Sequence, residues 1–462
     1  MRRTGFLFFC TLSLIIAHAQ PTPDSTTVAA SLRYRNPSVL RRAFLGSNYR
    51  KEWETPVRLP IFYLKNFPFT ITELGGGQQT KSLQFEDNQG RTWVLRTVDK
   101  DVSKAMDVAK VKWTVARKIV QDMVSAAHPY APLTIPTLAN AINVVAPAPI
   151  FYFVPAQAGL GTYDSLFANS VCMLEQREPT PDRSKTANTE NLLDKIIEEN
   201  DHQVIQKAVL RARLLDMLVG DWDRHADQWR WGKIDSGKVE WYYAIPRDRD
   251  QAYFDSKGLL VKLARKISLR HMIGFRPNLN KLINLNYKAW NFDRVFLNEL
   301  DAAQWKQTIQ EVQQKLTDDV VKAAMRKMPT PIYACSGEKL TARMLLRRND
   351  LLRAGMKYYR FISQDVLVSG TQQGEVFEIT EAPNGGIQLS IYDKKTTGKG
   401  RLLFSRIFIR LDTHQIKLYG LGGGDEFIVR DNVSSRIRLF VAPSPGDKYQ
   451  WEGRMKVRIL EE

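Results

Sequence analysis

The chain is poor in the residues that staple or anchor a protein. It has 3 cysteines in 462 residues. Cys10 falls in an N-terminal apolar run, so only Cys172 and Cys335 remain, too few for a disulfide scaffold, and the sequence leaves open whether they pair. The 6 histidines are scattered, and no HExxH, GxSxG or CxxC pattern occurs, which leaves zincin, serine-hydrolase and thiol-redox chemistry without a foothold. Beyond the N-terminus no apolar stretch is long enough for a helical membrane span. Basic residues nowhere form a block interleaved with aromatics, so nucleic acid is not an indicated partner. No internal repeat stands out.

What is present begins with a leader. "MRR", then "GFLFFCTLSLIIA", then "AHA" before Gln20 is the basic, apolar, small-residue succession of a signal peptide over residues 1–19. It predicts export, to the periplasm or outer membrane of a Gram-negative bacterium. Loss of Arg2 and Arg3 lowers the formal charge from +18 to +16, which suits anionic partners such as a nucleotide or an anionic membrane surface.

The remaining chain reads as α+β. Residues 20–68 predict an extended segment packed on the next domain. From Phe69 short strands follow ("FTITEL", "SLQFED", "RTWVLRTV"), then a helical pattern near residues 102–126 and apolar runs up to residue 179. Residues 180–355 read as mostly helical and basic. Residues 356–462 predict an antiparallel β-domain, with "NGG" at Asn384–Gly386 as a hairpin turn. "GLGGGDEF" at 420–427 matches one calcium-binding glycine-aspartate unit, but such units work in stacks and no second one is visible, so it reads as a turn.

Three stretches carry chemistry. In "ELGGGQQTKSL", Gly75, Gly76 and Gly77 would let backbone N–H groups approach phosphate oxygens, with Lys81 as a point charge; the contiguous glycines and following strand differ from a P-loop. "DWDRHADQ" supplies Asp223, Arg224, His225 and Gln228, and phosphoryl transfer needs a carboxylate to orient a hydroxyl and an oxygen ligand for metal. "PRDRDQAYF" ends a strand with Asp248 and Asp250, positions from which acids grip Mg²⁺. Each piece also has an ordinary structural reading: an ion pair, a core histidine, a solvated turn.

In their chain order these stretches resemble the atypical protein-kinase-like families. "DRHADQ" is similar to the DRHxxN loop of phosphoinositide and secretory-pathway kinases. "DRDQAYF" is similar to their metal-binding segment and to that of CotH spore-coat kinases, and "GGGQQTKSL" to the loop of HipA-type kinases. The resemblance covers residues 69–350 and implies a two-lobed kinase-like domain, with an N-lobe over 69–179 and a C-lobe over 180–355, binding ATP with Mg²⁺ or Mn²⁺. It implies Asp223 as the catalytic aspartate beside Arg224 and His225, and Gln228, Asp248 and Asp250 as metal ligands. Glu175 in "CMLEQ" would lie in the adenine-contacting hinge. Arg96 stands where such kinases carry lysine, with Asp122 as its expected acidic partner, and Gln228 stands where asparagine is usual; arginine and lysine are not interchangeable at such a position. From "FLGSNYRKEW" to "LYGLGGGDEF" the chain also resembles the middle region of bacterial outer-membrane proteins that join a metallophosphoesterase to a β-barrel. "GDWDRH" lacks the spacing and the GNHE of a phosphoesterase, so that chemistry is not expected. Two functions remain open: a phosphotransferase acting on an envelope acceptor, or a catalytically inactive kinase-like binding module serving outer-membrane assembly.

The leader makes the first prediction. Mass spectrometry of exported protein is expected to find Gln20 as the N-terminal residue, and an intact Met1 on membrane-embedded protein would refute it.

Overall fold

The computed structural model describes residues 24–76, 80–102, 114–267, 269–396 and 398–460. The proposed signal peptide and Gly77 lie outside them. The fold is α+β, and its first layer is a five-stranded sheet of order β3-β4-β5-β7-β6. Its strands are β3 Phe69–Gly75, β4 Ser82–Asp87, β5 Thr92–Thr97, β6 Ile150–Val154 and β7 Ser170–Gln176, every pair antiparallel. Phe62, Leu83, Phe85, Leu95 and Leu174 fill one face.

The segment before the sheet is more than extended chain. Strands β1 Ser25–Val28 and β2 Val57–Pro60 pair with each other. Between them helix α1, Val39–Leu45, starts where the Ser38 hydroxyl accepts the Arg41 N–H at 3.2 Å, an N-cap. Tyr34, Tyr49 and Trp53 are buried in the main core.

Helix α2, Thr114–Met123, precedes β6, and helix α3, Gln206–Val219, is buried along nearly its whole length. A second sheet has the order β8-β10-β11-β9, built from β8 Ala187–Asn188, β9 His202–Val204, β10 Trp229–Asp235 and β11 Glu240–Pro246. Helix α4, Leu259–Ile267, follows, then α5, Ala302–Lys315, and α6, Glu338–Ser363. Helix α6 runs through the expected boundary at 355, and its Tyr358, Tyr359 and Ile362 belong to the main core. The helical region therefore ends at Ser363 and the β-region opens at Asp365.

The C-terminal region corrects the expected antiparallel domain. Strands β12 Asp365–Ser369, β16 Gln415–Tyr419, β18 Arg438–Ala442 and β20 Val457–Ile459 form one sheet in which every pairing is parallel. In a second sheet β13 Glu375–Ala382, β17 Glu426–Val429 and β19 Lys448–Trp451 are again mutually parallel. Only the excursion β14 Gly386–Lys395 and β15 Gly398–Phe408 is antiparallel. The chain thus alternates between two sheets and winds as a β-solenoid around Phe377, Ile379, Leu418, Phe427 and Val441. Three coils turn at an acid. Glu375 N–H donates to Asp425 Oδ1 at 2.7 Å, and Asp425 N–H to Asp447 Oδ1 at 3.0 Å. The stacked neighbours that "GLGGGDEF" lacked in sequence are therefore supplied by the fold. Arg406 ties the solenoid to the helices, donating to the Asn298 carbonyl at 2.5 Å and to Ser363 Oγ at 3.1 Å. Cys172 and Cys335 are both free thiols. Among the described residues no helix is long and apolar enough to cross a membrane.

Asp425 is fully buried and its Oδ2 has no hydrogen-bond partner. Burial, with Glu375 and Asp447 alongside, pushes its carboxyl up to about 8 from an ordinary 3.8. A carboxyl raised in the fold favours its protonated form, so its contribution is fully present below about pH 4 and is lost as pH rises towards about 8. Asp425→Asn is expected to raise Tm relative to wild type at pH 8 and to lose that advantage near pH 4. A Tm difference independent of pH would overturn the assignment.

Candidate functional site

A polar cleft of about 650 Å³ opens between the first sheet and the loops that flank the second. Its roof is the hairpin joining β3 to β4. Gly76 has φ +122°, and a Cβ there would lie 2.4 Å from the Thr80 carbonyl oxygen, so only glycine makes this turn. Gly75 and Gly76 both line the cleft. Arg96 reaches it from β5, which pairs with β4 and β7, so the middle of the sheet holds the guanidinium.

The floor comes from two loops, 220–228 after α3 and 247–254 after β11. In each, an arginine points into the interior while a neighbouring aspartate points the other way; Asp221, earlier in the first loop, is buried with Arg224 at 3.7 Å. Asp216 on α3 is fully buried and accepts from Arg213 at 2.8 Å and Arg249 at 2.9 Å, with Arg224 Nε at 3.2 Å. Burial alone would raise its pKa, but Arg224, Arg249 and Arg213 outweigh it and hold the carboxylate ionised. Arg224 also donates to the Arg247 carbonyl at 2.5 Å. It is therefore a brace between the loops and lies behind the cleft, which corrects its assignment to the catalytic set. Its sequence neighbour Asp223 turns into the cleft and pairs with Lys288 at 2.6 Å. Of the two aspartates either side of Arg249, Asp248 also lines the cleft, and Asp250 lines an adjoining chamber.

Two ion pairs cross from roof to floor. Arg96 Nη1 lies 3.0 Å from Asp248 Oδ2, and Lys100 pairs with Asp250. Burial disfavours the charge on Asp248, yet Arg96, Lys100 and Arg247 hold its carboxyl well below the usual carboxylate range. Burial and the nearby Asp248 push Asp250 the other way, upward, against the pull of Lys100. Asp248 has φ +54°, a left-handed conformation uncommon outside glycine and of the kind that clusters at functional sites. Its Oδ1 is buried without a hydrogen-bond partner.

Other expected residues divide. His225 and Gln228 line the cleft, with Gln228 Nε2 3.4 Å from His225 Nε2. Glu175 is buried on β7, 3.7 Å from Arg96. It is thus a second acidic partner of Arg96, beside Asp248. Burial, countered by Arg96, leaves its pKa raised. Asp122 is not that partner: it is buried against Arg50 and Arg41, both at 2.5 Å, on the N-terminal segment. Lys81 donates to the Leu166 carbonyl at 3.2 Å and is absent from the cleft lining.

Charged residues missed in sequence include Asp227, Arg177 and Arg247 on the cleft and Lys288 on the adjoining chamber. Arg247 had a signal, since it opens "RDRD"; Lys288 had none. Burial, followed by repulsion from Arg96, lowers Arg247 to about 10. A guanidinium lowered in this way gains from added negative charge nearby. Behind the ion pairs lies an apolar chamber of about 410 Å³, lined by Val120, Met123, Phe151, Met173, Trp222 and Phe254.

No family model matches the chain, and no curated protein matches it. Among solved structures it is similar to the Helicobacter pylori proinflammatory kinase CtkA, at 8% identity and TM-score 0.32, over 60% of this chain and 94% of that one. It is also similar to the Golgi casein kinase, at 11% identity and TM-score 0.26, over 73% of this chain and 86% of that one. Likenesses of this size leave the chemistry to the geometry of the cleft.

The two-way split of the loops can be measured by urea denaturation. Asp216→Asn leaves three buried guanidiniums short of a partner and is expected to cost about 3–5 kcal/mol. Asp223→Asn breaks a half-exposed pair with Lys288 and is expected to cost about 1 kcal/mol or less. Equal losses would mean that Asp223 belongs to the buried network.

Proposed function

We propose that the chain is an exported kinase-like protein whose cleft binds ATP with Mg²⁺ or Mn²⁺ and transfers phosphate to a hydroxyl of an envelope acceptor, such as an outer-membrane protein. The observation that carries this reading is the alignment beneath a glycine hairpin of Asp223, Asp248 and Asp250 with Arg96, Lys100, Arg177 and Arg247. The basic groups and the Gly75–Gly76 backbone would hold phosphate oxygens. Asp248 fits a divalent cation through its unpartnered Oδ1, with the Gln228 amide oxygen and Asp250 on the same floor. Such a cation, when bound, would neutralise charge on the phosphates. Asp223 would orient an acceptor hydroxyl and take its proton, as the acceptor oxygen bonds to the terminal phosphorus and the bond to the bridging oxygen breaks.

One observation favours a second reading, a binding module without turnover. Arg96 and Lys100 already satisfy Asp248 and Asp250 with built-in cations, an arrangement that can hold a phosphorylated ligand without metal.

Thermal-shift titration with ATP, with and without Mg²⁺ or Mn²⁺, separates the readings. A ligand at about a hundred times its Kd stabilises the native state by about 2.7 kcal/mol. Asp248→Asn is expected to abolish the metal-dependent part of the shift, while Asp223→Asn keeps the shift and loses phosphate transfer. A metal-independent shift without transfer in wild type supports the binding module, and no shift with any nucleotide rejects both.

A further inference from the structure

Helices α1 and α4 lie side by side and turn apolar residues outward. Contact between them is close: a Cβ on Gly258 would lie 2.4 Å from the Phe44 carbonyl oxygen and 2.4 Å from the Leu45 carbonyl carbon, so only glycine fits at this approach. On α4, Leu259, Leu263 and Ile267 recur every fourth residue and form one stripe. Leu263 is 55% exposed and Ile267 73%, while Val261, off that stripe, is buried at 2%. On α1, Val39 is 74% and Leu40 70% exposed, with Phe44 also exposed. A soluble helix normally buries its apolar stripe, so this pair is inverted.

The charge around the stripe is of one sign. Residues 256–292 hold 8 lysines and arginines and no acid, and residues 25–51 hold 6 and no acid. Some are spent internally: Arg41 and Arg50 pair with Asp122, and Lys257 with Asp255. Lys262 and Lys266 are exposed beside the stripe, and neither has an ion pair among the described residues.

We propose that α1 and α4 form a docking face for an anionic lipid bilayer. Leucine, isoleucine and valine side chains would enter the acyl boundary while the flanking lysines and arginines meet acidic headgroups. An exposed apolar stripe with cationic flanks is the signature of an interfacial helix that lies in the membrane plane. A protein partner would have to match the apolar stripe and also bring a rim of acids, whereas an anionic bilayer presents both at once. The face adjoins the cleft, since Leu269, shortly after α4, lines the apolar chamber behind Asp248. It stands independently of whether the cleft transfers phosphate.

Cosedimentation with vesicles tests the proposal, comparing phosphatidylcholine mixed with phosphatidylglycerol against phosphatidylcholine alone. Wild-type protein is expected to pellet with the mixed vesicles and to be released by salt. Two variants isolate the face: Leu263→Gln with Ile267→Gln, and Lys262→Glu with Lys266→Glu. Each is expected to weaken partitioning about tenfold or more, with Tm unchanged because the side chains are exposed. Residues 1–23 are common to all forms, so any lipid affinity of theirs cancels from the comparison. No vesicle binding, equal binding to neutral vesicles, or unchanged binding by both variants would overturn the proposal. So would loss of a solution dimer in sedimentation velocity, or retention by an acidic polypeptide, without vesicle binding; those results assign the face to a second copy or to a protein.

Discussion

The cleft depends on one carboxylate, Asp216. It lies on a helix buried along nearly its length, and it collects Arg213 from that helix, Arg224 from the loop after it and Arg249 from the loop after β11. Two loops far apart in sequence are thereby pinned to one point. The two loop arginines, Arg224 and Arg249, each have an aspartate for a chain neighbour, and neighbours in extended or turning backbone project to different sides. Pinning Arg224 therefore directs Asp223 outward, and pinning Arg249 directs Asp248 and Asp250 outward. A carboxylate that gathers three guanidiniums in a dry interior is expensive to desolvate, and removing it leaves those cations uncompensated. The charge density of "DWDRH" and "RDRD" is the sequence trace of this two-sided arrangement.

That trace explains which parts of the site were legible. Asp223, Asp248, Asp250, His225 and Gln228 are named together through the resemblance of "DRHADQ" and "DRDQAYF" to kinase-like motifs, and the fold brings all of them but Asp250 to the cleft lining, with Asp250 on the adjoining chamber. Partners could not be read in this way. Asp122 has helical spacing suited to Arg96, but two arginines of the N-terminal segment capture it, and spacing carries no information about a segment that folds back. Glu175 lies directly across the β5–β7 register from Val94 and close to Arg96, a proximity fixed by strand pairing alone. Arg224 looks like a catalytic residue until its burial is known.

The solenoid was hidden for a different reason. Its strands alternate apolar and polar like any half-buried strand, and alternation does not distinguish parallel from antiparallel pairing. A regular coil length would have shown as a repeat. Here Asp365 pairs with Gln415, Gln415 with Arg438, and Leu439 with Val457, so the step along one sheet shortens unevenly. The β14–β15 hairpin inserted into the first coil accounts for the longest step. The corner acids Glu375, Asp425 and Asp447 stack nonetheless, because each accepts or donates a main-chain hydrogen bond across coils, and such bonds follow the fold whatever the sequence spacing.

The ion pairs across the cleft join the two functional readings into one physical question. Asp248 and Asp250 are held by Arg96 and Lys100, and a divalent cation arriving alone would have to displace groups already at contact distance in a setting where like charges repel strongly. Phosphate oxygens change that balance, because they offer Arg96 and Lys100 an alternative partner and leave Asp248 and Asp250 free for the cation. Arg177 and Arg247, crowded beside Arg96, gain from the same negative charge. On the proposed reading the cleft would favour anion and metal together over either alone, and by linkage each would then raise the affinity for the other by the same factor. On that reading the difference between turnover and binding alone would rest on how completely Arg96 and Lys100 leave their acids, which is a property of those pairs more than of Asp223.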